Sequence, residues 1–247
     1  MVPQDTNSIV LITGAAKRLG AAMALGLAAD GWDVVVHYRS SESAALETAE
    51  RVRELGRRAW TIQADLEDAE VARALVGRTR ELAGGVHALI NNASIFPGDS
   101  LQTLDPALLE RNIALHAIAP TLLTRALAED ENARHVIHIL DSRITGPDPE
   151  HLSYHLSKRM LFSLTRAMAV EWAPRLCVNA IAPGAVLAPT GGDEAALLEV
   201  AKDTPLQRAG TPDCVADAAR SLLASRSITG QVLFVDCGRH LRGSLYG

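Results

Sequence analysis

The feature that most constrains this chain is an alternation along its length, in which short apolar runs are separated by longer segments that repeat apolar residues at helical spacing. Residues 9–12, 34–36, 59–63, 88–90, 135–140, 177–181 and 232–235 read as strands, being short, apolar and bounded by turn residues. Between them, residues 18–29, 43–55, 68–82, 107–127, 154–172 and 213–225 carry the 3.6-residue period of helices, with a shorter helical pattern at 194–201. Strands separated by helices of this length cannot close as hairpins. Each helix must return the chain across a sheet face, which gives right-handed crossovers and a parallel sheet covered on both sides. The expected fold class is α/β, a doubly wound, mostly parallel seven-stranded sheet formed as a single domain over residues 1–247, because no Pro/Gly/Ser-rich linker or repeat divides it.

Charge and composition exclude several functions. A net charge of −5 gives no reason to expect nucleic acid as a partner. No apolar run approaches the roughly 20 residues needed to cross a bilayer, and residues 1–8 lack the pattern of a signal peptide, so cytoplasmic residence is the expectation. Cys177, Cys214 and Cys237 are odd in number and widely spaced, which argues against a disulfide framework or a thiolate metal site. The pairs His151/His155 and His135/His138 lack a third ligand at convincing spacing, and no metal is expected.

In doubly wound sheets, ligands bind beside the carboxyl end of the first strand, with phosphates at the next helix N-terminus. Thr13-Gly14-Ala15-Ala16-Lys17-Arg18-Leu19-Gly20 occupies that place. Gly14 permits a tight turn and Gly20 close helix packing, while Arg18 replaces the middle glycine of the usual pattern and brings a cation to the adenosine side. The second strand ends in His37-Tyr38-Arg39-Ser40 without the acid that would bind a ribose 2′-hydroxyl. His37, Arg39, Ser40 and Arg18 can instead donate to a 2′-phosphate, so the expected cofactor is NADPH. Asp65-Leu66 after the third strand and Asn92-Ala93 after the fourth are further expected contacts; Asp65 could equally cap a helix.

Tyr154 and Lys158 stand four apart in a helical segment, on one face, where the ammonium could hold the phenol below its usual pKa of about 10 and make it a proton donor. Thirteen residues earlier stands Asp141. With the Gly14 turn, Asn91-Asn92-Ala93, Tyr154-x-x-x-Lys158 and Val178-Asn179-Ala180-Ile181-Ala182-Pro183-Gly184 in this order, the whole chain resembles the short-chain dehydrogenase/reductases, a Rossmann-type fold. Arg18, His37-Tyr38-Arg39-Ser40, Asp141 in place of the usual serine and the ending Asp236-Cys237-Gly238-Arg239-His240-Leu241-Arg242 resemble the pteridine reductases within that family.

The resemblance implies that Tyr154 donates the proton, Lys158 binds the nicotinamide ribose, Asp141 assists at the reacting atom, and Pro183 and Gly184 border the cofactor. Ser94 and Phe96 match pterin-contacting positions, with Phe96 stacking on the substrate. Residues 183–205 are a candidate substrate lid. The resemblance also implies a homotetramer whose carboxyl-terminal tail approaches a neighbouring active site. Two positions depart from the family: His116 stands for an asparagine, either as part of a proton relay or as a buried structural histidine, and Cys237 stands for a common glycine.

Asp141 points to the substrate. A ketone reductase stabilises a developing alkoxide, which a carboxylate would repel, whereas reduction of a dihydropterin C=N bond develops positive charge while a ring nitrogen gains a proton. Asp141 could serve as a neutral acid, or as an anion that receives the phenol's hydrogen bond; it could also simply cap the segment at Ser142-Arg143. The expected activity is NADPH-dependent reduction of a 7,8-dihydropterin, with dihydromonapterin, dihydrobiopterin or dihydrofolate as substrates. The alternatives are a carbonyl reductase of the same fold and a non-catalytic nucleotide sensor, against which Tyr154 and Lys158 argue.

Overall fold

The computed structural model describes residues 8–188 and 194–242. Seven strands, β1 (Ile9–Ile12), β2 (Asp33–Tyr38), β3 (Ala59–Gln63), β4 (Ala88–Asn91), β5 (His135–Ile139), β6 (Cys177–Pro183) and β7 (Val232–Val235), form one sheet in the order β3-β2-β1-β4-β5-β6-β7. Every pairing is parallel, so the sheet is wholly rather than mostly parallel. The order reverses between β1 and β4, and the crevice there opens at the strands' carboxyl ends.

Alternation within β1 sends Val10 and Ile12 to one face and Leu11 to the other, with all three fully buried. On the first face they meet Met23 and Leu27 of α1 (Arg18–Ala29), Val52 of α2 (Glu42–Glu54) and Leu222 of α8 (Pro212–Ala224). On the second face Leu11 meets Leu75 of α3 (Ala69–Ala83), Leu123 and Leu127 of α5 (Ala119–Leu127) and Met168 of α6 (Leu152–Glu171). Each such side chain contributes about 1.5–3 kcal/mol through burial, which is what holds the strand ends, and the loops they carry, in fixed relation.

The segment expected as one helix at 107–127 is interrupted. Helix α4 (Pro106–Ile113) passes into a π-turn at Ala114–Ile118 before α5 begins. Pro120 supplies a reason: it has no N–H to give the carbonyl four residues back, that of His116, and its ring would crowd it. Helix α7 (Glu194–Lys202) lies within the candidate lid, of which residues 189–193 fall outside the described residues. Among the described residues no helix is long and apolar enough to cross a membrane, and no group of three or more metal-ligating side chains gathers.

Candidate active site

The turn after β1 is riveted to the end of β4. Thr13 Oγ1 accepts from the backbone N–H groups of Asn92 (2.9 Å) and Ala93 (3.0 Å), while Asn92 Nδ2 donates to the carbonyls of Thr13 (2.9 Å) and Gly14 (3.1 Å). A Cβ on Gly20 would strike the Gly14 carbonyl oxygen and come within 2.7 Å of Asn92 Nδ2, so the approach of α1 to this turn requires glycine. Arg18, where the usual pattern has glycine, adopts a left-handed conformation at φ 56°. Its guanidinium crosses to the carbonyl of Ala188, 2.5 Å away, tying the turn to the chain that leaves β6.

His37 does not play the part expected of it. It is 2 % exposed, with Nδ1 accepting from Gly14 N–H (3.0 Å) and Nε2 within 3.1 Å of the Ala64 carbonyl, so no ring nitrogen is left for a phosphate. Burial lowers its pKa to about 4, and the neutral ring acts as a strut between β1, β2 and β3. Nor does Arg39 stand free of acids. Glu67, from the loop after β3, receives Arg39 at 2.6 Å and two hydrogen bonds from Arg111 at 2.9 Å each. These contacts, the Arg111 bonds foremost, lower the Glu67 pKa, and two guanidiniums against one carboxylate leave the shoulder of the crevice positive. Ser40 is exposed and Tyr38 half-buried beside it. Asp65 closes a turn on Glu67 N–H, and the cap of α3 is Asp68 rather than Asp65; the Leu66 side chain belongs to the core.

A cleft of about 380 Å³ joins this turn to the other predicted residues. Gly14, Lys17, Arg18, Leu19 and Gly20 form one wall, Asn92, Ala93 and Ser94 the floor, and Asp141, Tyr154 and Lys158 the inner end, with Pro183 and Gly184 opposite. His37, Tyr38, Arg39, Ser40, Asp65, Leu66 and Phe96 lie outside that lining. The glycine turn with its two cations suits a dinucleotide, whose phosphates would meet Lys17, Arg18 and the N–H groups at the start of α1.

At the inner end, Tyr154 Oη donates to Asp141 Oδ2 at 3.1 Å. Asp141 also accepts from Arg143 through its backbone N–H (2.8 Å) and two guanidinium nitrogens (3.2 Å each), so both of its oxygens are engaged. The bond to Arg143 N–H caps the 3₁₀ turn Ser142–Thr145, so the plain capping role and the contact with Tyr154 coexist in one side chain.

The expectation that Lys158 depresses the Tyr154 pKa is overturned. The phenol is raised well above its ordinary value, by burial first and then by Asp141. Lys158 is itself lowered to about 8 by burial, and its ammonium donates to the Ile139 carbonyl at 2.7 Å, 5.6 Å from the phenol ring centre. The nearby anion and desolvation outweigh a distant cation whose own charge is disfavoured.

Sequence reasoning missed what braces this pair. Arg143 reaches on to Asp148 at 2.7 Å, and His151 lies parallel to Phe96 with ring centres 3.9 Å apart. Phe96, 47 % exposed, also meets the edge of Tyr154 at 4.8 Å and the Arg143 guanidinium at 4.9 Å. Asp99, 54 positions before Ser153, accepts its backbone N–H at 3.0 Å and pins the start of α6 one residue before Tyr154. Only the i, i+2 spacing of Asp141 and Arg143 was available in the sequence as a signal.

His116 resolves toward the structural reading. Its Nε2 accepts from Ile95 N–H (3.2 Å) beside Ser94 Oγ (3.0 Å), which places the proton on Nδ1, 2.8 Å from Ser157 Oγ. Ser157 in turn donates to the Tyr154 carbonyl at 2.6 Å, leaving neither ring nitrogen for a relay. Burial, with Lys158 nearby, keeps the ring neutral. Cys237, where a glycine is common, takes the left-handed conformation at φ 56° and offers its carbonyl to Leu206 N–H.

Comparison with known proteins places this geometry among reductases. The family described as enoyl-(acyl carrier protein) reductase matches residues 14–240. A 3beta-hydroxysteroid dehydrogenase 1 of Eggerthella lenta is 34 % identical over 251 residues, covering 94 % of this chain and 93 % of that protein. A dihydromonapterin reductase of Klebsiella pneumoniae is 32 % identical over 242 residues, covering 94 % and 97 %. The crystal structure of FolM alternative dihydrofolate reductase 1 from Brucella canis, complexed with NADP, superposes with a TM-score of 0.89 at 36 % identity, covering 98 % of this chain and 97 % of that one.

Proposed function

The chain belongs to the short-chain dehydrogenase/reductase family of NAD(P)-dependent oxidoreductases, and from that premise we propose that it is an NADPH-dependent pteridine reductase acting on the C=N bond of a 7,8-dihydropterin. The observation that carries this reading is the carboxylate of Asp141 in hydrogen-bond contact with the Tyr154 hydroxyl. When bound in the cleft, the reduced nicotinamide would supply hydride to the substrate carbon. The protein's own groups manage the proton and the charge.

Tyr154 donates its proton to the ring nitrogen of the C=N bond. Proton transfer to that nitrogen ahead of the hydride makes the ring an iminium cation, and the Asp141 anion stabilises that positive charge until hydride reaches the adjacent carbon. Arg143 orients Asp141 through two guanidinium contacts. Lys158 holds the ribose, with the N–H groups not used by Ile139. Arg18, Lys17 and Arg39 supply the positive field for the phosphates, the 2′-phosphate falling to Arg39 and Ser40. Ser94 and Phe96 border the pterin. Cytoplasmic residence and a tetrameric assembly complete the proposal.

A second reading, reduction of a carbonyl, is favoured by the similarity to a hydroxysteroid dehydrogenase. One panel decides between them: NADPH oxidation with 7,8-dihydropterins, dihydrofolate, quinonoid dihydropterins and simple ketones. Turnover of dihydropterins with none of the ketones is the expected result. Ketone turnover alone would refute the pteridine assignment.

A further inference from the structure

A second cavity, of about 400 Å³, adjoins the catalytic centre through Arg143, which lines the cavity and also holds Asp141. Its wall is cationic: Arg143, Arg239 and Arg242, with the His240 ring between them, face a single acid, Asp203. Arg143 is already committed to Asp141 and Asp148. Among the described residues no carboxylate pairs with Arg239 or Arg242, so these two outnumber the one acid present.

The wall is built rather than loose. Asp236, buried below it, accepts from the backbone N–H groups of Gly238 (3.0 Å) and His240 (2.7 Å) and from His240 Nδ1 (2.9 Å). Its oxygens are therefore taken up in bracing the 3₁₀ turn Arg239–Arg242 and do not compete for the arginines. His240 is further clamped on Phe234, with ring centres 4.0 Å apart. Residues three apart in a 3₁₀ turn project on one side, which brings Arg239 and Arg242 to the cavity together.

This cavity shares no lining residue with the dinucleotide cleft and is tied to it through Arg143, whose guanidinium holds Asp141, so it borders the reacting end of that cleft and not the Gly14 turn. The geometry points to a subsite for an anionic substrate tail, in which Arg239 and Arg242 receive a carboxylate or phosphate group carried by the ring that reacts at Tyr154. Guanidinium forks match both groups. The inference rests on the pteridine reading and sharpens it: pterins with an acidic tail are preferred over those with a neutral one.

The test compares the parent with R239Q/R242Q, using 7,8-dihydrofolate (carboxylate tail), dihydroneopterin monophosphate (phosphate tail) and 7,8-dihydromonapterin (neutral tail). The double variant is expected to raise KM at least tenfold for whichever acidic-tail substrate the parent prefers, with KM for the neutral pterin and for NADPH changed less than twofold and an unaltered melting temperature. Equal changes for all three pterins, or none, would overturn the subsite. If no pterin is turned over, the pteridine reading fails by itself, and calorimetry of p-aminobenzoyl-L-glutamate with the NADP⁺-loaded protein judges the cavity: binding that the double variant loses sustains it, and no binding to the parent rejects it.

Discussion

Lowering the pH should destabilise this protein well above the range where carboxylates titrate, because several histidines are buried uncharged. Burial holds His37 and His135 at about 4 and His138 at about 3, against about 6.5 in an unfolded chain. A histidine whose folded pKa is depressed takes up its proton only on unfolding. Its contribution is complete above pH 6.5, declines as the pH falls through the unfolded value, and stops declining near the folded value. Each fully coupled proton changes stability by about 1.4 kcal/mol per pH unit, so the three together remove about 3–4 kcal/mol between pH 6 and pH 5. That is a large part of the roughly 5–15 kcal/mol by which domains are stable. Urea unfolding followed by circular dichroism at half-unit steps from pH 7.5 to 5 measures it, and His138→Asn should reduce the slope by about one third. A stability that is flat from pH 7 to 5, or a slope unchanged in the variant, would refute the claim that these rings are buried uncharged.

Arg39→Ala should weaken NADPH about tenfold and leave NADH nearly unchanged in fluorescence titrations; equal losses would mean that its bond to Glu67 serves only the fold. Asp141→Ser should lower dihydropterin turnover at least tenfold with NADPH affinity retained, and Tyr154→Phe should be worse because the donor itself is gone. Parent-like pterin reduction by the serine variant would sink the argument from charge. Gly20→Ala places a methyl group against the Gly14 carbonyl and should abolish cofactor binding while leaving most of the secondary structure by circular dichroism; undiminished NADPH affinity would show that the turn yields.

What was legible in the sequence is what short-range pattern encodes. The period of apolar residues gave every strand, Thr13-Gly14 with Gly20 gave the tight turn between β1 and α1, and i, i+4 spacing gave Tyr154 with Lys158. What was not legible depends on side chains that meet only after folding. His37 looks like a surface donor in its tetrapeptide, yet the end of β3 delivers the Ala64 carbonyl to it. Arg39 looks free because Glu67 and Arg111 lie 28 and 72 positions further on. The sign of the Tyr154 shift turned on burial, which no spacing reports. The break at Ala114–Ile118 did have a local sign, Pro120, which the helical period of its surroundings masked.

That break has a geometric consequence. A π-turn accommodates one more residue than an α-helical turn, and each residue advances an α-helix by about 100°, so the stripe of side chains facing inward slips in phase as the rod passes from α4 to α5. Helix α4 packs on α6, whereas α5 packs on α3. One rod thereby turns its main contact from one neighbour to the other along its length. The segment 107–127, which has one helical period in the sequence, is thus two helices joined by a π-turn, each with its own buried residues, Asn112 in α4 and Leu123 and Leu127 in α5. Deleting one residue from Ala114–Ile118 would change the phase of α5 relative to α4 by about 100°, so that Asn112 and Leu123, both buried now, could not both stay buried.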